Sequence, residues 1–354
     1  MKNFDLQKDF IEYWDHVIRL WLEQNADVTL FKNDEDAKEQ LQVIKAINDN
    51  CKNSANYKLN TMHMPEPYWG NPTDCSIVLL DYNPAGGPDT NRHTTIKYKD
   101  GDESGMKLIK YVNKYGYSSF ATKCPVFRDA KDLKDKKLGW FCAKKIKEGK
   151  GGYEGYHWWQ SKHKWLDHLV VAACGKKDER LPFGMELCGW HSKKWSSNMS
   201  WIDGCRSVIN QRAIQPLFES LKLSSTKIAV CIGAKFDPIL LGQFFNNEDI
   251  NVTKDYSLTT EIISELIKND SIARQYEGLT YSIESKDAYI HVIARWKNKD
   301  KDEEPKNRYY RIYKITEGKE SYYILNTYAP GSNRHPGKHF WPFEKVLIDT
   351  IKKV

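Results

Sequence analysis

The sequence predicts an α/β fold: a three-layer sandwich whose short four-stranded parallel sheet is flanked by helices. A helical extension (residues 1–56) precedes it, and an α+β insertion (residues 247–320) comes before the last core strand. Three observations lead there. Four apolar runs, near 76–81, 182–188, 227–233 and 321–327, each stop in a polar or glycine-containing loop, as parallel strands do at their carboxyl ends. Helical stretches separate several of these runs, giving a strand–helix rhythm. Alternating segments between 247 and 320 break the rhythm and read as antiparallel strands. No internal repeat, low-complexity segment or clear linker interrupts the chain, so residues 1–354 read as one elaborated domain.

Taken in order, residues 4–24 place Phe10, Trp14, Val17, Ile18, Trp21 and Leu22 at helical spacing. A second helix over about 34–48 starts in the acidic run Asn33–Asp36, where negative charge favours a helix N-terminus, and carries Leu41, Ile44 and Ile47. Prolines and glycine in MPEPYWGNP end regular structure before the strand at 76–81. A helix over 103–114 closes at Gly116. Residues 131–150 hold eight lysines and read as a basic loop or hairpin, either solvated or laid against phosphates. A Trp-rich helix at 153–174, a strand at 182–188 and a helix at 200–223 follow, then KIAVCIG as a central parallel strand and FDPILLGQFF as its returning helix. Within the insertion, LTYSIES, YIHVIARW and RYYRIYKIT alternate, and KNKDKDEEPKNR is a solvated turn. SYYILNT is the last core strand, and a helix over about 342–353 closes the chain.

A hydrophobic share of 40% and a charged share of 29% exclude wholesale disorder. The N-terminus MKNFDLQKDF is charged, unlike a secretory signal, and no apolar run reaches the roughly 18 residues a bilayer span needs. A cytoplasmic protein without a membrane partner is the expectation. The eight cysteines lie far apart, with none of the short spacings that zinc or iron–sulfur sites favour, and read as reduced thiols. Neither a metal nor another cofactor is expected. The formal charge of +7 suits a polyanionic partner such as DNA, and the 13% aromatic content offers base-stacking surfaces alongside core residues. Oligomeric state leaves no mark on the sequence.

The loops DYNPAGGP, ELCGWHSKK, IGAKF and NTYAPGSNRHPG would share one rim of a parallel sheet and gather Asn83, Glu186, His191, Ser192, Ser332, Asn333 and His335. There is no Gly-x-Ser-x-Gly elbow, Walker phosphate loop, dinucleotide fingerprint or His-Glu-x-x-His helix, so several common α/β enzyme classes fall away.

In these loops and their order the chain resembles the uracil-DNA glycosylase superfamily over roughly residues 70–350. VLLDYNPAGG looks like that superfamily's first motif, Gly-x-Asn-Pro-Gly, with Asp81 in place of the leading Gly and Ala85 inserted before the glycines. TYAPGSNRHPG looks like its His-Pro-Ser-Pro motif, with Tyr328 or Ala329 where the His stands and His335 a few residues later.

The resemblance implies a hydrolase that cleaves the N-glycosidic bond of a base flipped out of DNA. Asn83 would place the attacking water, and His335 would stabilise the departing base. Ser332, Asn333, Arg334, Lys338 and Lys193 would hold the DNA backbone, and Tyr82, Phe120, Trp190 and His191 would line the base pocket. Glu186 stands where the uracil enzymes read the base with an Asn. An ionised carboxylate only accepts hydrogen bonds, so it suits an amino-bearing or modified base rather than plain uracil. Each assignment has a structural counterpart: Asn83 as an Asn-Pro turn, Glu186 as a lysine-paired structural acid, His335 as an ordinary loop histidine. The altered second motif also fits a protein that kept the fold, lost catalysis and binds nucleic acid, a nucleotide or a protein.

Overall fold

A computed structural model describes residues 4–51, 55–82, 103–123, 134, 165, 167–174, 180–192, 205–240, 252–253, 260–262, 264–265, 268, 279–285, 289–298, 300, 303–329 and 336–353. In chain order the strands are β1 (Tyr68–Trp69), β2 (Val78–Asp81), β3 (Phe183–Glu186), β4 (Ile228–Ile232), β5 (Val252–Thr253), β6 (Leu279–Ser285), β7 (Ile290–Trp296), β8 (Lys306–Glu317) and β9 (Glu320–Tyr328). The chain groups into two compact units, Met1–Thr73, Asp81–Ser161 and Phe183–Ser220 in one, Asp74–Leu80, Lys162–Pro182 and Leu221–Val354 in the other.

The first unit is built on the N-terminal helices. Asp5 accepts from the N–H groups of Gln7 and Lys8 and so opens a π-helical run, Leu6–Glu12, that continues as α1 (Tyr13–Glu23). Of the stripe expected from the sequence, Phe10, Trp14, Val17, Ile18 and Trp21 are buried and Leu22 is half-buried. Burying each such side chain contributes roughly 1.5–3 kcal/mol before chain entropy is set against it. Asp34 caps α2 (Glu35–Asn50) by accepting from the Ala37 N–H at 2.9 Å, and His16 of α1 reaches the same carboxylate at 2.8 Å. Arg212 lies 3.5 Å over the Tyr13 ring and donates to the Asp9 carbonyl (2.7 Å) and to Glu39 (3.0 Å).

The helix α3 (Glu103–Tyr115) stops at Gly116, whose φ of +84° is the left-handed C-cap that glycine adopts without steric cost. In the same unit β1 pairs antiparallel with β3, Trp69 opposite Gly184. A Cβ on Gly184 would lie 2.0 Å from the Trp69 indole, so the ring occupies the space a side chain would need.

The second unit holds a mixed sheet in the order β2-β4-β9-β8-β7-β6, with β5 paired to β8. Within it β2, β4 and β9 run parallel, in the register Leu79–Val230–Leu325. The other pairs, β9 with β8, β8 with β7, β7 with β6 and β5 with β8, are antiparallel. This corrects the expected short four-stranded parallel sheet, because the sheet is longer, mixed and mostly antiparallel.

The reason lies in a tight turn. Gly318, at φ +62°, lets β8 fold straight back on β9 with Glu317 opposite Glu320, and β8 is long enough to pair along all of β9. The strands expected as an insertion therefore extend the sheet itself. The closing helix, Trp341–Ile351, buries Phe343, Leu347 and Ile348, with Phe343 5.6 Å from Tyr310 of β8. Among the described residues no helix is long and apolar enough to cross a membrane.

Candidate functional site

In the first unit, the chain leaving β3 runs beside the chain leaving β2. Leu187 donates its N–H to the Asp81 carbonyl (2.8 Å) and Cys188 to that of Tyr82 (2.9 Å). Glu186, at the carboxyl end of β3, is only 6% exposed, and its own N–H donates to Pro67 at 2.9 Å. A buried carboxylate thus lies two residues before Cys188, which bonds Tyr82, the residue before Asn83. Beside it the Cys188 thiol is pushed up to about 12, chiefly by burial, with the Glu186 charge a lesser contributor; it is no nucleophile at neutral pH.

Trp190 and His191, which follow at once, turn away into the core of the N-terminal helices. Trp190 is wholly buried, donates its indole N–H to Gln40 Oε1 at 3.0 Å and packs on Phe31. His191 is wholly buried as well, with Nε2 3.0 Å from the Met64 carbonyl. A carbonyl only accepts, so Nε2 carries the proton. Its ring lies 5.2 Å from His63. Phe120 is 7% exposed on the short helix Ser118–Ala121, where the Ala121 carbonyl accepts from the Gly70 N–H beyond β1. Lys338 is exposed and opens the turn Lys338–Phe340 in the second unit. Asn83, Lys193, Ser332, Asn333, Arg334 and His335 lie outside the described residues.

The second unit carries a constellation that the motifs did not single out. One transverse row of its sheet reads His291, Arg311, Asn326, Cys231 across β7, β8, β9 and β4. Just beyond β4, where Gly233 donates to the Thr327 carbonyl at 3.0 Å, the short helix Asp237–Leu240 brings Asp237 onto that face. Asp237 is 6% exposed and fully engaged. Its Oδ1 accepts from Asn326 Nδ2 at 2.9 Å and from the Tyr313 hydroxyl, and its Oδ2 pairs with Arg311.

Arg311 also lies over the rings of Tyr289 (5.0 Å) and Tyr328 (5.1 Å). Tyr328 stacks on Tyr309 at 5.2 Å, and Tyr309 on His291 at 5.7 Å. Burial raises the Tyr313 and Tyr328 phenols above their ordinary range, so both stay protonated hydrogen-bond donors. A sequence signal existed in the alternation of RYYRIYKIT, which puts Tyr309, Arg311 and Tyr313 on one face. Asp237 showed no such signal, since in DPIL it reads as a helix start.

Comparison with protein-family models, with curated proteins and with solved structures finds no match to this chain. The Glu186 end offers a buried carboxylate in the segment that runs beside Asp81 and Tyr82, the residues that lead into Asn83. The Arg311 face offers stacked rings with a cation among them, a combination that holds nucleobases and phosphates. Among the described residues no group of His, Cys, Asp and Glu forms a metal-binding cluster.

Proposed function

We propose that this chain hydrolyses the N-glycosidic bond between a sugar and an amino-bearing or modified base flipped out of DNA. The observation that carries the reading is the buried Glu186 at the end of β3, alongside Tyr82, the residue before Asn83. In this reading Asn83 orients a water toward the sugar carbon. As the carbon–nitrogen bond lengthens, positive charge builds on the sugar and negative charge on the base. The water oxygen closes on the carbon and releases a proton to solvent, while the base leaves with the bonding electron pair and takes up a proton from solvent. Glu186 accepts from an amino or N–H edge and so selects the base.

The test is incubation of oligonucleotides bearing amino-substituted or modified bases, with free base measured by chromatography. Release by the wild type, abolished in a folded Asn83→Ala variant, is expected. Absence of free base from every substrate, or full activity in Asn83→Ala, overturns the proposal.

The aromatic and cationic face around Arg311 favours a second reading, in which the chain binds nucleic acid without cleaving it. That reading expects binding that weakens steeply as salt rises, with no base released.

A further inference from the structure

A cleft of about 560 Å³ opens in the second unit at the amino ends of β4 and β9, away from Asp237 and Asn326 at their carboxyl ends. It is lined by Arg180, Lys227 and Lys352, by the hydroxyls of Ser225, Thr226 and Ser321, and by an apolar floor that includes Ile228 and Tyr323. None of the described residues lining it is acidic. Its volume falls within the roughly 300–1,000 Å³ of small-molecule sites.

Lys227 marks the place as built. Its φ of +55° is a left-handed conformation that favours glycine or asparagine, and a lysine there costs on the order of 1 kcal/mol or more. Hydrogen bonds hold it from both sides: its N–H donates to Ser224 Oγ and its carbonyl accepts from Tyr323 N–H, both at 3.1 Å. The ammonium is thereby presented beside the cleft, where it pairs with Glu320, itself largely exposed and screened by solvent. Ser225 and Thr226 donate their hydroxyl protons to the Ser76 carbonyl, at 3.4 and 2.8 Å, so the pull on an anionic ligand comes chiefly from the charge of the cationic side chains. Cations above an apolar, tyrosine-bearing floor fit an anion attached to a flat or apolar body.

We infer that this cleft binds a phosphate-bearing small molecule, independently of the hydrolysis proposed above. The test is titration calorimetry on the full chain with pyrophosphate and with ADP. Saturable binding of either is expected, weakened by added salt and by about tenfold in Arg180→Gln or Lys352→Gln, the loss of one charge-assisted hydrogen bond. Lys352 ends the closing helix and is exposed, so Lys352→Gln keeps the test decisive if Arg180→Gln fails to fold. No saturable binding of either compound, or affinities unchanged in the folded variants, overturns the inference. An Asn83→Ala variant should bind pyrophosphate as the wild type does, which separates failure here from failure of the hydrolase reading.

Discussion

Asn326 of β9 donates a hydrogen bond across 2.9 Å to Asp237, which lies just beyond β4, and so ties two parallel strands together at their carboxyl ends. Arg311 from β8 pairs with the same carboxylate. Replacing Asp237 with Ala strands a cation and an amide in the sheet face and should cost about 3 kcal/mol, toward the low end for buried pairs because Arg311 keeps 20% exposure. Urea unfolding should also show that the Asp237→Ala/Arg311→Ala double variant loses less than the sum of the single variants. Additive losses would mean the two side chains do not act as a pair.

Glu344, on the closing helix, is wholly buried near Arg308 and Tyr310 of β8 and accepts the Trp165 indole N–H at 2.9 Å. Burial pushes its carboxyl up to about 7 from 4.5, against the opposing pull of Arg308. The folded state therefore holds this proton more tightly than the unfolded chain. Its contribution to stability is fully present below pH 4.5 and is lost as pH rises through 7, on the order of 3 kcal/mol in total. Unfolding measured across that range should show this fall in the wild type and a flatter profile in Glu344→Gln. Parallel profiles would remove Glu344 as the cause.

Gly184 has no room for a methyl group because the Trp69 indole occupies it. Gly184→Ala should destabilise the protein by about 3 kcal/mol through overpacking, and Trp69→Leu in the same chain should recover part of that loss. Denaturation of both variants beside the wild type checks it, and a neutral Gly184→Ala would place the ring elsewhere.

If base hydrolysis is confirmed, Glu186→Gln should shift preference toward bases that present carbonyl oxygens, since an amide donates where a carboxylate cannot. Competition between an amino-bearing base and uracil in otherwise identical oligonucleotides measures the shift, expected to be about tenfold or more. An unchanged ratio would deny Glu186 contact with the base.

The elements written in local pattern were legible. The buried stripe of α1, the acidic start of α2, the Gly116 stop and the apolar runs of β4 and β9 need only neighbours in sequence. Long-range partners were not. Trp190 and His191 follow a strand end and so read as rim residues, yet Gln40 and Met64, from much earlier in the chain, hold them in the core. The alternation of β8 foretold a strand but not its docking along β9, and Asp237 could not be paired with Arg311 until that docking was known.

The Gly318 turn has a consequence for how copies of this chain meet. Without β8, the far side of β9 would present unpaired backbone N–H and C=O groups, a template on which another molecule's strand could add. With β8, β7 and β6 in place, the terminal strand of that side among the described residues is β6, whose Thr280, Ser282 and Glu284 are exposed polar side chains. Resistance to edge-to-edge aggregation thus falls to β6, and a hydrophobic substitution at Glu284, which lies opposite His291, would weaken it.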